Sequence, residues 1–60
     1  MNEIVDYALP CMMAENALKK LHQHMLENEY EAAMQAGSDA LVEVFETLRA
    51  IRIMKEKAKR

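Results

Sequence analysis

Two histidines and one cysteine are the residues of this 60-residue chain best suited to metal binding or nucleophilic catalysis. His22 and His24 are two positions apart, which on a helix turns their side chains about 160° away from each other, whereas a shared metal needs a spacing of three or four. No histidine lies near Cys11 in the sequence, so we expect this thiol to pack as a small hydrophobe. These residues predict no enzyme, no metal site and no cofactor.

Three basic residues near the end of the chain are better candidates for ligand binding. Arg49, Arg52 and Lys55 recur every three residues and offer guanidinium forks and an ammonium group suited to phosphate. Arg52 falls close in phase to an apolar stripe, where a charge is costly unless it meets a partner or ligand. We therefore consider an oligomer that binds a nucleotide or RNA through several copies of these residues. The alternative is that the basic end complements the helix dipole and is otherwise solvated.

Charge is unevenly distributed along the chain. Residues 1–48 contain nine acids and two lysines, whereas residues 49–60 contain six basic residues and one acid. Asp39, Glu43 and Glu46 recur at one-turn spacings and are expected to form a solvated face. In an antiparallel hairpin the basic end lies near Glu3 and Asp6, and in an antiparallel dimer it reaches the acidic turn of the partner.

Apolar residues follow one another at alternating steps of three and four, which places them on one stripe of a helix. The stripe is interrupted once, at "LENEY", and then resumes in a new phase. Two stripes joined by a short turn predict an antiparallel hairpin in which the stripes face each other. They consist of Ile4, Tyr7, Cys11, Ala14, Leu18, Leu21 and Met25, and of Tyr30, Met34, Gly37, Leu41, Val44, Leu48 and Ile51.

The predicted boundaries follow from capping residues. We expect one domain over residues 1–60, with an N-terminal segment over 2–9, helix 1 over 10–27 and helix 2 over 28–58. Asn28 is suited to cap helix 2, and Glu31 three residues later completes a capping box. Pro10 either lies in the first turn of helix 1 or kinks a longer helix.

Gly37 is the only glycine, and the second stripe continues through it in phase. This continuity predicts an uninterrupted helix 2; the alternative is a break at "GSD", with Ser38 capping a new helix. A glycine inside a helix costs about 1 kcal/mol relative to alanine. Ala33, Gly37 and Ala40 lie on adjoining positions, so we expect another backbone to approach closely there.

Oligomerisation is the expected source of stability. A chain of this length buries only about 60% of the surface that its unfolded form exposes, and one cysteine cannot form an internal disulfide. Hydrophobic residues make up 52% of the chain but only three are aromatic, a composition typical of helix bundles. The predicted fold is an all-α antiparallel two-helix hairpin with a short N-terminal helical segment, assembling into a homodimer or higher homo-oligomeric bundle.

A second apolar strip beside the stripes is expected to form the oligomer interface, because one hairpin cannot bury both. The alternative is a set of scattered exposed hydrophobes, which is common on monomers. The predicted interface consists of Val5, Leu9, Met12, Ala33, Gly37, Ala40, Val42, Phe45 and Ile53.

The stretch "NEYEAAMQAGSDAL" resembles half of a tetratricopeptide repeat, with Tyr30, Ala33 and Ala40 at its aromatic and small positions. Leu21 replaces the small residue of the preceding helix, and the length excludes a solenoid. The whole layout resembles the short helical-hairpin proteins that bacteriophages encode as inhibitors and accessory factors. It is also similar to the plasmid-encoded RNA-binding hairpin that dimerises into a four-helix bundle. These resemblances concern architecture, and fold does not fix function.

Together these patterns predict a small non-enzymatic interaction protein that binds and modulates another macromolecule, with a protein as the expected partner. The longest apolar run, "ALPCMMA", has seven residues including a proline, far short of the roughly 20 that cross a bilayer. Glu3 and Asp6 stand where a signal peptide would carry lysine or arginine. We therefore expect no membrane partner and a cytoplasmic location.

Overall fold

The computed structural model describes residues 6–58. Two helices, α1 (Ala8–Leu26) and α2 (Tyr30–Ala58), pack against each other as a hairpin, and no strand occurs in these residues. The particle measures 49 × 17 × 14 Å, with a radius of gyration of 14.6 Å, whereas a compact chain of this length is expected to have about 10 Å. The all-α hairpin prediction is confirmed, and the single hairpin is an elongated rod.

Pro10 lies in the first turn of α1. The Ala8 N–H donates to Asp6 Oδ1 at 3.1 Å, and the Cys11 N–H donates to the Tyr7 carbonyl at 3.0 Å. Pro10 is the third helical residue, a position whose N–H has no partner within a helix. The helix therefore begins two residues before the predicted boundary at residue 10, and residues 2–5 of the predicted N-terminal segment lie outside the described part of the chain.

The turn between the helices is a Schellman motif. The Glu29 N–H donates to the His24 carbonyl at 2.8 Å, and the Asn28 N–H donates to the Met25 carbonyl at 3.1 Å. Asn28 has a φ of 59°, the left-handed conformation that asparagine tolerates better than most residues. The prediction that Asn28 caps helix 2 is wrong, because this residue ends α1 instead. Glu29 immediately precedes α2, and its carbonyl accepts the first helical hydrogen bond, from the Ala33 N–H at 2.9 Å.

Helix α2 runs through Gly37 without a break, as its phase predicts. A Cβ added at Gly37 would lie 3.3 Å from Cδ1 of Leu21. The neighbour at this position is therefore a side chain of α1 in the same chain, and not the closely approaching backbone that was expected. There is no break at Ser38, which lies within α2.

The contact between the helices is lined by alanines, and we call it the alanine interface. Small side chains let helix axes approach closely, but each buried methyl stabilises the fold by only about 0.8 kcal/mol, against 1.5–3 kcal/mol for a buried leucine. Within residues 6–58 every buried residue is an alanine, and no large side chain is fully buried. The buried residues are Ala14, Ala17, Ala33, Ala36, Ala40 and Ala50.

The prediction that the two apolar stripes pack against each other is wrong for most of their residues. The positions of α2 that turn towards α1 are 33, 36, 40, 43, 47 and 50, of which Glu43 and Thr47 are half-buried. The Thr47 hydroxyl donates to the Glu43 carbonyl at 2.8 Å, so it enters this contact with its hydrogen bond made. The two stripes face each other only in part: Leu21 packs against Gly37, but Met34 and Leu41 are 66% and 61% exposed.

Candidate functional site

One side of the hairpin carries a shallow groove of about 370 Å³ between the two helices. Its floor contains two residues of the alanine interface, and its walls combine apolar side chains with charges of both signs. Next to it the Gln35 amide donates to Asp39 at 3.2 Å, and Arg49 lies 3.7 Å from Glu46. The groove is lined by Met13, Asn16, Ala17, Lys20, Ala36, Asp39, Val42 and Glu43.

The residues that line the groove also identify which residues lie on the opposite side of the hairpin. Successive residues of a helix are rotated by about 100°, so the residues before and after an inward-facing one project to opposite sides. Asp39 precedes the buried Ala40 and lines the groove, which places Leu41 on the other side of the hairpin. Asn16 and Leu18 flank a buried alanine of α1 in the same way. Because the helices are antiparallel, the residue that follows an inward position lies on this second side in both.

The second side is apolar along α2, whereas on α1 it combines Leu18 and Met25 with Glu15 and His22, which follow inward positions of that helix. We call this second side the apolar face. On α2, the residues that follow the six inward positions are Met34, Gly37, Leu41, Val44, Leu48 and Ile51. The large side chains of this face are all exposed in the single chain. They are Leu18, Met25, Tyr30, Met34, Leu41, Val44, Leu48 and Ile51.

The total exposed area shows how far the hairpin is from a closed structure. The chain exposes 5233 Å², whereas a compact protein of 6.9 kDa is expected to expose about 4,000 Å². A soluble monomer rarely exposes a contiguous apolar patch larger than a few hundred Å². The apolar face, which extends along both helices, is therefore the candidate functional site.

The residues predicted for the oligomer interface are divided by the structure. Ala33 and Ala40 are buried against α1, so we reassign them from contact with a second chain to the alanine interface, with Gly37 half-buried beside them. Val5 lies outside the described residues. The other predicted members remain available on the surface: Leu9 and Val42 are exposed and Ile53 half-buried on the groove side, and Met12 and Phe45 are exposed on the outer sides of the two helices.

The predicted anion-binding residues are all accessible. Arg49, Arg52 and Lys55 are exposed on α2, so the charge of Arg52 is not buried in the single hairpin. Lys55 and Tyr7, together with Ile51, line an open depression of about 440 Å³. This places one tyrosine beside a basic residue, and it arises because α2 extends beyond the start of α1.

Neither histidine pairs with the other. His24 is half-buried, with Nδ1 2.6 Å from Glu29 Oε1. These are the two positions of the Schellman motif at which hydrophobic residues usually contact each other. Cys11 is a half-buried free thiol. In the part of the chain that the structure describes, no group of three histidine, cysteine or acidic side chains is arranged to hold a metal ion.

Sequence reasoning missed the alanine interface because it gave priority to large apolar residues. The signal was present in the spacing of Ala33, Ala36 and Ala40, which recur at steps of three and four as the stripes do. Alanine is also the best helix former, so its recurrence alone does not distinguish a packing role from helix propensity. Only the packing of α1 on α2 decides between them.

No family model, curated protein or solved structure matches this chain. Between residues 6 and 58, neither helix has the long, apolar, nearly uncharged run that a bilayer crossing requires. The function is therefore argued from the exposed apolar face and the charges around it.

Proposed function

We propose that this chain is a non-enzymatic interaction protein whose working form is a homo-oligomeric helix bundle that binds and modulates another macromolecule. The observation that carries the proposal is the reversal of side-chain size: among residues 6–58 the buried side chains are all alanines, while the leucines, methionines, valines and isoleucines remain largely outside. Leaving a leucine-sized side chain in water forgoes about 1.5–3 kcal/mol. The apolar face offers enough such side chains to drive association.

The area available fits self-association. A compact particle of twice the mass is expected to expose about 6,600 Å², so two hairpins that close into one bundle would bury about 3,800 Å² in total. Obligate homodimers bury about 2,000–5,000 Å². In a four-helix bundle each helix directs its large apolar stripe to the common axis, which is the arrangement that the apolar face supports.

The role within this proposal is that of an inhibitor or adaptor, in keeping with the architectural resemblance to phage-encoded helical hairpins. With the apolar face occupied by a second copy, the groove side of each hairpin remains outside. Its mixed lining of Met13, Val42, Lys20 and Asp39 combines apolar contact area with charges, as protein-binding surfaces do.

Sedimentation equilibrium across a concentration series tests the self-association. We expect an association constant that places a dimer, or a larger closed oligomer, at micromolar chain concentrations. A folded monomer throughout that range would contradict the proposal, because the apolar face would then be stable in water.

A second candidate function is binding of a phosphate-bearing ligand, a nucleotide or RNA, by Arg49, Arg52 and Lys55. The observation in its favour is the position of Tyr7 beside Lys55 in the open depression, since an aromatic ring next to cations suits a base and its phosphate. Melting the protein with a panel of cyclic nucleotides and short RNAs tests it. A rise in melting temperature with one ligand that is lost in Arg52→Ala supports it, and no rise with any of them rejects it.

A further inference from the structure

The two ends of the rod differ in charge. At the turn, Glu27, Glu29 and Glu31 are all exposed. At the other end, residues 49–58 contain four exposed basic side chains and one acid, Glu56, with Asp6 nearby at the start of α1. The hairpin is thus acidic at its turn and basic at its open end, with 49 Å as its longest dimension.

Two copies that bury their apolar faces against each other can do so in two orientations. A two-fold axis along the rod places both turns at the same end and lays α1 of one copy over α2 of the other. A two-fold axis across the rod places the turns at opposite ends and lays α2 over α2. Both axes make the same patch meet itself, as an isologous interface requires.

Charge distinguishes the two orientations. With the turns at the same end, Glu29 and Glu31 of one copy approach Glu27 of the other, and like charges in juxtaposition oppose association. With the turns at opposite ends, the basic last turns of each α2 lie over the acidic first turn of the other. Helix dipoles do not distinguish the two orientations, because both lay antiparallel helices over each other; the side-chain charges at the two ends do.

We propose that the apolar face is occupied by a second copy of this chain with its turn at the opposite end, forming an antiparallel four-helix bundle in which α2 packs on α2 about a two-fold axis near Val44. This inference rests on the proposed self-association and adds the partner's face and direction. The axis lies near Val44 because this residue of the apolar face is at the middle of the 29-residue α2.

Distances between spin labels test the direction. In a Cys11→Ser background, Glu31→Cys provides a labelling site at the exposed start of α2, and Glu56→Cys provides one at its exposed end. With turns at opposite ends, the two labels of a Glu31→Cys dimer are separated by most of the length of α2, on the order of 40 Å at 1.5 Å per residue. With turns at the same end they are within about 20 Å, two helix diameters.

A mixed sample provides the matched control. Combining singly labelled Glu31→Cys and Glu56→Cys chains is expected to give a new distance within about 20 Å, absent from either sample alone. Long distances in both separate samples with this short distance in the mixture support the proposal. A dimer with a short distance in the Glu31→Cys sample overturns the direction while leaving self-association intact, and a monomer by sedimentation overturns self-association itself.

Discussion

At the scale of single residues, Gly37 and Asn28 show how the backbone sets local choices. Gly37 is helical and needs no unusual φ; what matters is the space above its Cα, which the Leu21 side chain occupies at 3.3 Å from a built Cβ. Asn28 has the opposite requirement, since its φ of 59° disfavours residues with a Cβ, so that glycine fits best and asparagine is tolerated better than most. One position is constrained by packing and the other by conformation.

Substitutions at Gly37 separate helix propensity from packing. Gly37→Ala is expected to stabilise the fold by up to about 1 kcal/mol, because alanine is the better helix former and the end of the half-buried Leu21 side chain can turn aside. Gly37→Leu is expected to destabilise by about 1–3 kcal/mol through overpacking. Urea unfolding at a fixed chain concentration measures both. Adding Leu21→Ala to Gly37→Leu should recover part of the loss, and an unchanged loss would show that Leu21 is not the obstacle.

Substitutions at Asn28 test the turn. Asn28→Ala is expected to lower the free energy of unfolding by about 1–2 kcal/mol, because it places an ordinary Cβ in the left-handed region. Asn28→Gly removes that penalty and is expected to match or exceed the parent, although it also loses the 3.4 Å contact with the Tyr30 hydroxyl. Equal destabilisation by both substitutions would indicate that the side chain of Asn28, not its backbone conformation, holds the turn.

At the scale of the helices, the sequence predicts the number, order and approximate bounds of the elements but not the rotation of each helix. Apolar spacing gives a phase with a tolerance of about one position, or 100°, and that step separates the inward Ala40 from the outward Leu41. The role of Asn28 in the turn is not predictable from the sequence for a similar reason: asparagine is common both as the residue that caps the start of a helix and as the residue in left-handed conformation that ends one. The candidate face was thus visible in the sequence, but assigned to the interior of the hairpin.

The alanine interface can be tested within α2 by two identical substitutions. Ala36 is buried against α1 and Ala32 is only half-buried at its edge. Ala36→Leu is expected to force the helices apart and destabilise the fold by about 1–3 kcal/mol, whereas Ala32→Leu should change it by no more than about 0.5 kcal/mol. Thermal unfolding at equal chain concentration compares them. Equal effects would contradict the assigned rotation of α2.

At the scale of the whole molecule, the hairpin is an incomplete structure with two different sides. The groove side mixes charges with apolar residues, whereas the apolar face is apolar along α2 and carries Glu15 and His22 on α1. An alanine interface holds α1 and α2 together closely but stabilises them weakly, so the larger gain in burial has to come from whatever covers the apolar face. The second copy that we propose would meet this need with the apolar area and the end charges that the chain already contains.

The most direct measurement is the mass in solution of two neighbouring arginine variants. Leu41 and Val42 are 61% and 58% exposed, but they lie on the apolar face and the groove side respectively, so Leu41→Arg and Val42→Arg introduce the same charge at nearly equal exposure. Multi-angle light scattering at a concentration where the parent is oligomeric is expected to find Leu41→Arg monomeric and Val42→Arg unchanged. An oligomer that survives Leu41→Arg but is lost in Val42→Arg would contradict the account and place self-association on the groove side.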